Sequence, residues 1–191
     1  MWMTPDVITA VCASTERIVE GLAPEQYGLS TPCTEWTVRQ LLNHVLGALG
    51  LGAALMTDSM PTVQVGPGQV PAEDLVGDNP LAAYRSAVAA FEAAVTPDAI
   101  ARTHATPMGE MPGVALAGFT ALDVLVHGWD LARATGQDTR LDAGLAEQML
   151  GFASQAMPDG SQRGPLMASS VAVGSGADPT DRLVAFTGRT P

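Results

Sequence analysis

The stretch TALDVLVHGWDLARATGQ, Thr120–Gln137, decides the fold. Phe119, Leu122, Val124, Leu125, Val126, Trp129 and Leu131 cover most of the circumference of a helix expected over about 114–135. Gly136 stands in the C′ position that ends it. A helix apolar on so many sides belongs in a core. Yet Asp123, His127 and Asp130, spaced by four and three, share one stripe of it. Even a neutral polar group left unpaired there costs roughly 2–7 kcal/mol, so a carboxylate must be satisfied. A side-chain hydrogen-bond network, an Arg partner or a metal ion can do it. An acid and a His at i, i+4 converge beyond the helix face, as in the metal sites of helical bundles.

The rest of the chain supplies partners for such a helix. A first helix is expected over 5–22, with Pro5 at the first position and Thr4 as its N-cap. TVRQ opens a second, Thr37 and Gln40 forming a capping box, that runs to about Met56 and is apolar nearly all round apart from Asn43 and His44. A third covers about 81–94. The Pro- and Gly-rich loop between them, 57–80, has the length of a lid or binding segment. TPDAIARTHATPMGEMPG, 96–113, reads as irregular, with turns at Pro107 and Pro112. A fifth helix over 143–156, a Gly/Ser/Pro-rich stretch over 157–181 and a short helix in DRLVAFTGR complete the chain. Without repeats or strand–helix alternation, the reading is all-α, a bundle of four or five helices in one domain over 1–191.

Bulk composition excludes several functions. Twenty acids against nine bases give a net charge of −11, which repels phosphate backbones and anionic membranes. All nine bases are Arg, so Schiff-base, pyridoxal-phosphate and P-loop lysines are ruled out. The start shows no basic segment followed by an apolar run, so no signal peptide is expected. LLNHVLGALGLGAALMT is too short and too rich in Gly and Asn for a membrane span. Cys12 and Cys33 make no disulfide framework. The expectation is a soluble cytoplasmic protein.

Among the remaining polar residues, His44 lies to one side of the Leu42, Val45 and Leu49 stripe of its helix. It is either a satisfied core histidine or a third ligand beside Asp123 and His127. Two His and a carboxylate suit Zn²⁺, Ni²⁺ or Fe²⁺ with positions left open. His104 reads as a solvated loop residue, Cys12 as core, and Cys33 as a small buried residue or a soft ligand. Asp130 and Arg133 beside Trp129 read either as an intrahelical ion pair or as a substrate pocket in which Arg133 clamps a carboxylate. No Gly-x-Ser-x-Gly elbow supports a serine triad.

STPCTEWTVRQLLNHVLG, TPMGEMPGVALAGF, DVLVHGWDLARATGQ and DRLVAFTGR, taken in order, resemble a family of small actinobacterial metal-binding proteins. That family is related to the N-terminal domain of mycothiol-dependent maleylpyruvate isomerase and to the DinB-like bundles. The resemblance implies a DinB-like four-helix bundle with an extra C-terminal helix and long loops. It implies a divalent metal, Zn²⁺ or Ni²⁺, on His44, Asp123 and His127. Where the isomerase has Glu, this chain has Asp123, one methylene shorter. It further implies a small-molecule or thiol substrate, mycothiol as the fitting thiol, and a homodimer formed through helix faces. Three functions follow: a thiol-dependent isomerase or transferase, a metal-containing binding module, and a metal-free structural bundle.

Overall fold

The computed structural model describes residues 3–59, 69–107, 109–157 and 167–191. Residues 60–68 of the 57–80 loop that the sequence singles out as a lid or binding segment, and 158–166 of the Gly/Ser/Pro-rich stretch, lie outside them. The chain forms two compact units, 3–138 and 139–191.

The first unit is built on four long helices: α1 (Pro5–Glu20), α2 (Val38–Met56), α3 (Pro80–Ala94) and, after a short α4 (Pro97–Ala101), α5 (Gly113–Thr135). Packing of α2 on α5 and α3, and of α1 on α5 and α3, closes the four into a ring. Local signals set their ends. Thr4 Oγ1 accepts from Val7 N, and the Thr37–Gln40 capping box starts α2. Gly136, at φ 71°, ends α5 in the left-handed conformation. Fully buried Leu41, Leu42 and Leu49 of α2 and Leu125 and Leu131 of α5 form part of the core. Gly128 lets α1 approach closely, since a Cβ there would collide with Thr15, whose hydroxyl donates to Val124 O at 3.0 Å. Among the described residues α5 is the one helix long and apolar enough to cross a membrane, and 78% of its apolar window is buried inside the protein.

The 96–113 segment is more regular than its sequence suggested. Thr96 caps α4, and β1 (Thr103–Thr106) pairs antiparallel with β2 (Gly109–Pro112), Thr103 opposite Pro112. Pro107 lies in the hairpin turn, as expected, while Pro112 ends β2 and caps α5. His104 is not solvated: it is 1% exposed, with Nδ1 3.0 Å from Asp58 Oδ1 and Nε2 2.8 Å from Ala99 O. Arg102 also bonds Asp58, so the three residues tie the hairpin to the end of α2. The fold remains helical, this hairpin being its one sheet among the described residues.

In the second unit α6 (Ala143–Ala156) and α7 (Pro179–Phe186) pack together. Asp142 and Asp178 cap them, and an Arg182–Glu147 ion pair joins them.

Candidate metal centre

α2 and α5 bring His44, Asp123 and His127 to one point, one ligand atom from each lying within 4.8 Å of the others. His44 Nε2 is 3.4 and 3.3 Å from the two Asp123 carboxylate oxygens, and His127 Nε2 is 3.3 Å from Oδ1. The opposite ring nitrogens are engaged elsewhere. His44 Nδ1 is 2.6 Å from Gln69 O, and His127 Nδ1 is 3.0 Å from Asp130 Oδ2. A carbonyl and a carboxylate only accept, so these partners assign the proton to Nδ1 on both rings. Both Nε2 atoms then face the Asp123 carboxylate, and with neutral rings each presents a lone pair to it. Only a proton or a cation between them makes that arrangement favourable.

Asp123 Oδ2 carries the same message, being buried with no hydrogen-bond partner although the side chain as a whole is 32% exposed. A buried carboxylate oxygen is costly in that state. The donor set of two imidazoles and a carboxylate is one that Zn²⁺ takes. Bonds of about 2.0–2.2 Å at tetrahedral angles separate donor atoms by roughly 3.3–3.5 Å, which matches both His–Asp123 separations. These residues fit a divalent ion.

Burial acts to raise the Asp123 carboxyl, but the neighbouring charges of His127 and His44 outweigh it and hold the group below the usual carboxylate range. Burial likewise acts to lower His127. The Asp123 charge, then hydrogen bonds with Asp123, Asp130 and Cys33, push it well above its ordinary value. The depressed Asp123 stabilises the fold above its unfolded pKa of about 3.9, and that contribution is lost as pH falls below it. The elevated His127 stabilises the fold fully below its unfolded pKa of about 6.5, and that contribution is lost as pH rises through the folded value. Chelator-treated protein is therefore expected to have its highest Tm between about pH 4 and 6.5. Scanning calorimetry across pH checks this, and a Tm still climbing at pH 8 would contradict it.

A second layer surrounds the ligands. Asp130 is 0% exposed, and its Oδ2 accepts from His127 and from Cys33 Sγ, 3.4 Å away. Cys33 Sγ is also 3.7 Å from His127 Nδ1. A pinched loop delivers Cys33: Ser30 bridges Thr37, Trp36 N donates to Cys33 O at 2.8 Å, and Thr31 Oγ1 donates to Trp36 O at 2.9 Å. The same loop lays the Trp36 ring 4.7 Å from His44 and 6.1 Å from His127.

The residues read as a substrate pocket are divided. Asp130 turns to His127 instead of pairing with Arg133. Arg133 is exposed, its guanidinium 5.7 Å from the ring of buried Trp129. Sequence reasoning gave Trp36 no role of its own and missed Gln69. Trp36 carried a signal, eight residues ahead of His44 at the mouth of α2. Gln69 acts through its carbonyl, which leaves no trace in a sequence.

Comparison with known proteins agrees with this architecture. An uncharacterized protein of Mycobacterium tuberculosis, matched in two strains, is 35% identical over 176 residues, covering 91% of this chain and 90% of the relative. A crystal structure of a histidine-to-alanine mutant of the mycothiol-dependent maleylpyruvate isomerase shares the fold. Its TM-score is 0.62 at 17% identity, over 87% of this chain and 72% of that one. Residues 8–132, nearly all of the first unit, match the family described as mycothiol maleylpyruvate isomerase N-terminal domain. The chain belongs to that family.

Proposed function

We propose that the protein holds one divalent ion, Zn²⁺ or Ni²⁺, on His44, Asp123 and His127, and serves as a thiol-dependent metalloenzyme acting on a small molecule. The observation that carries the metal is the Asp123 carboxylate, its buried Oδ2 without a hydrogen bond, set between two imidazoles whose other nitrogens are committed. When bound, the ion supplies Lewis acidity that lowers the pKa of a thiol or water at neutral pH. The protein's own groups prepare the place for it. Gln69 O and Asp130 hold the Nδ1 protons and so fix both Nε2 lone pairs inward. Asp123 contributes the negative charge, and the Trp36 ring packs against His44.

Family membership supports mycothiol as the thiol and isomerisation or S-transfer as the reaction. Such a thiol persists in the reducing cytoplasm, where this reading places the protein. Trp129 and Arg133 remain our assignment for substrate contacts, the exposed guanidinium offering a carboxylate clamp, while Asp130 serves His127. Calorimetry on Zn²⁺-loaded protein tests the thiol. Mycothiol should bind at least about tenfold more tightly than its S-methyl ether, a difference of about 1.4 kcal/mol. Equal affinity for both would contradict the reading.

A further inference from the structure

The residue before His44 does something the metal reading leaves unexplained. Asn43 is 6% exposed, and its side-chain hydrogen bonds go to the main chain of one segment. Nδ2 donates to Pro71 O at 3.2 Å and to Glu73 O at 2.8 Å, and Oδ1 accepts from Leu75 N at 2.7 Å. A side-chain amide has two donor hydrogens and one acceptor oxygen, and Asn43 commits all three of these atoms to this strap. Two residues before Pro71 lies Gln69, whose carbonyl receives the His44 Nδ1 proton at 2.6 Å. The strap has little regular structure of its own, residues 69–79 containing neither helix nor strand. Its position over α2 is therefore set by side chains: Asn43 at 71–75, buried Val76, and Arg39, which reaches Asp74 and Gly77 O.

We propose that Asn43 is a positioning residue for the metal centre. By pinning the 71–75 main chain it holds Gln69 O against His44 Nδ1, and that bond keeps the Nδ1–H tautomer and aims Nε2 at Asp123. The inference rests on the metal reading for its functional meaning, but the geometry it asserts exists with or without an ion. Adjacent residues on a helix point about 100° apart, so neighbouring positions can reach ligand and strap at once. His44 faces the site while Asn43 holds the segment that orients it.

Asn43→Ala removes all three bonds, and Asn43→Asp keeps the acceptor for Leu75 N while deleting both donors. Two readouts apply to each variant after circular dichroism has shown it folded. In chelator-treated protein, ¹⁵N-edited NMR of the histidine rings should show a slowly exchanging His44 Nδ1–H in the parent, assigned by its loss in His44→Ala, and fast exchange of it in both variants. In Zn²⁺-loaded protein, stopped-flow transfer of the ion to a chromophoric chelator should be about tenfold faster in both variants, the low end of the effect of losing an outer-shell partner. Arg39→Ala, whose contacts to the strap are exposed, supplies a variant safe for folding and should speed transfer to a smaller extent. A folded Asn43 variant that keeps the protected Nδ1–H would overturn the proposal. Protection lost with unchanged Zn²⁺ transfer would overturn it as well. A parent that takes up no Zn²⁺ yet loses Nδ1–H protection in the variants would sink the metal reading alone, leaving Asn43 as the residue that orients His44.

Discussion

Asp123→Ala is expected to lose Zn²⁺ affinity by more than the roughly 10–100-fold that removal of an outer-shell partner costs, because it deletes a ligand. The bundle itself should survive. Asp123 is about a third exposed, so its pairing with the histidines is screened and contributes modestly to folding. Without the carboxylate, His127 loses the main influence holding its pKa up but keeps Asp130 against Nδ1, so the ring stays partnered. Alanine also suits a helix interior. Competition against a chelator of known affinity reads the binding, and thermal unfolding of chelated protein reads the fold. Parent-like affinity in a folded Asp123→Ala protein would remove the carboxylate from the site.

Asp130→Ala should do the reverse, damaging the fold as well as the site. Asp130 is fully buried and accepts from both His127 and Cys33, groups on elements 94 and more residues apart in the chain. Removing one member of a buried charged pair costs on the order of 3–5 kcal/mol, the lower end applying here because His127 can shed its proton. Metal affinity should fall about 10–100-fold as the Nδ1–H loses its acceptor and the ring its orientation. Asn at this position keeps the shape and one acceptor, so Asp130→Asn should recover most of the stability but little of the affinity, carboxylate basicity being what it lacks. Chemical denaturation and chelator competition on the two variants separate these effects. Unchanged affinity in Asp130→Asn would show that the carboxylate charge is immaterial.

What the sequence could reveal follows from how local each cause is. The caps at Thr4, Thr37 and Gly136 act within one helical turn, and the helix ends they set were readable to within about two residues. His44, Asp123 and His127 stood out because they are polar residues on apolar helices, which is a cost visible without coordinates. The short α4 was readable too: Thr96, Pro97 and Asp98 carry an N-cap, a first-position proline and a first-turn acid. The prolines and glycines around it point instead to a loop. His104 was misjudged for a different reason. Its partner Asp58 is 46 residues away, and nothing near His104 announces that it is buried. The outer layer of the site was hidden for the same cause, since Cys33 meets Asp130 across 97 residues and Asn43 reaches the 71–75 strap through main-chain atoms. Ligands are legible as anomalies of composition; the groups that orient them depend on tertiary contact.

The central claim is that His44, Asp123 and His127 hold a metal ion, and elemental mass spectrometry of untagged protein tests it most directly. Parent and His127→Ala would be purified side by side, dialysed against Zn²⁺ and then against metal-free buffer. Close to one ion per chain in the parent and little in the variant is the result expected. No retained ion in the parent, or equal amounts in both, would contradict the assignment and leave the three residues as a buried polar network in a helical bundle.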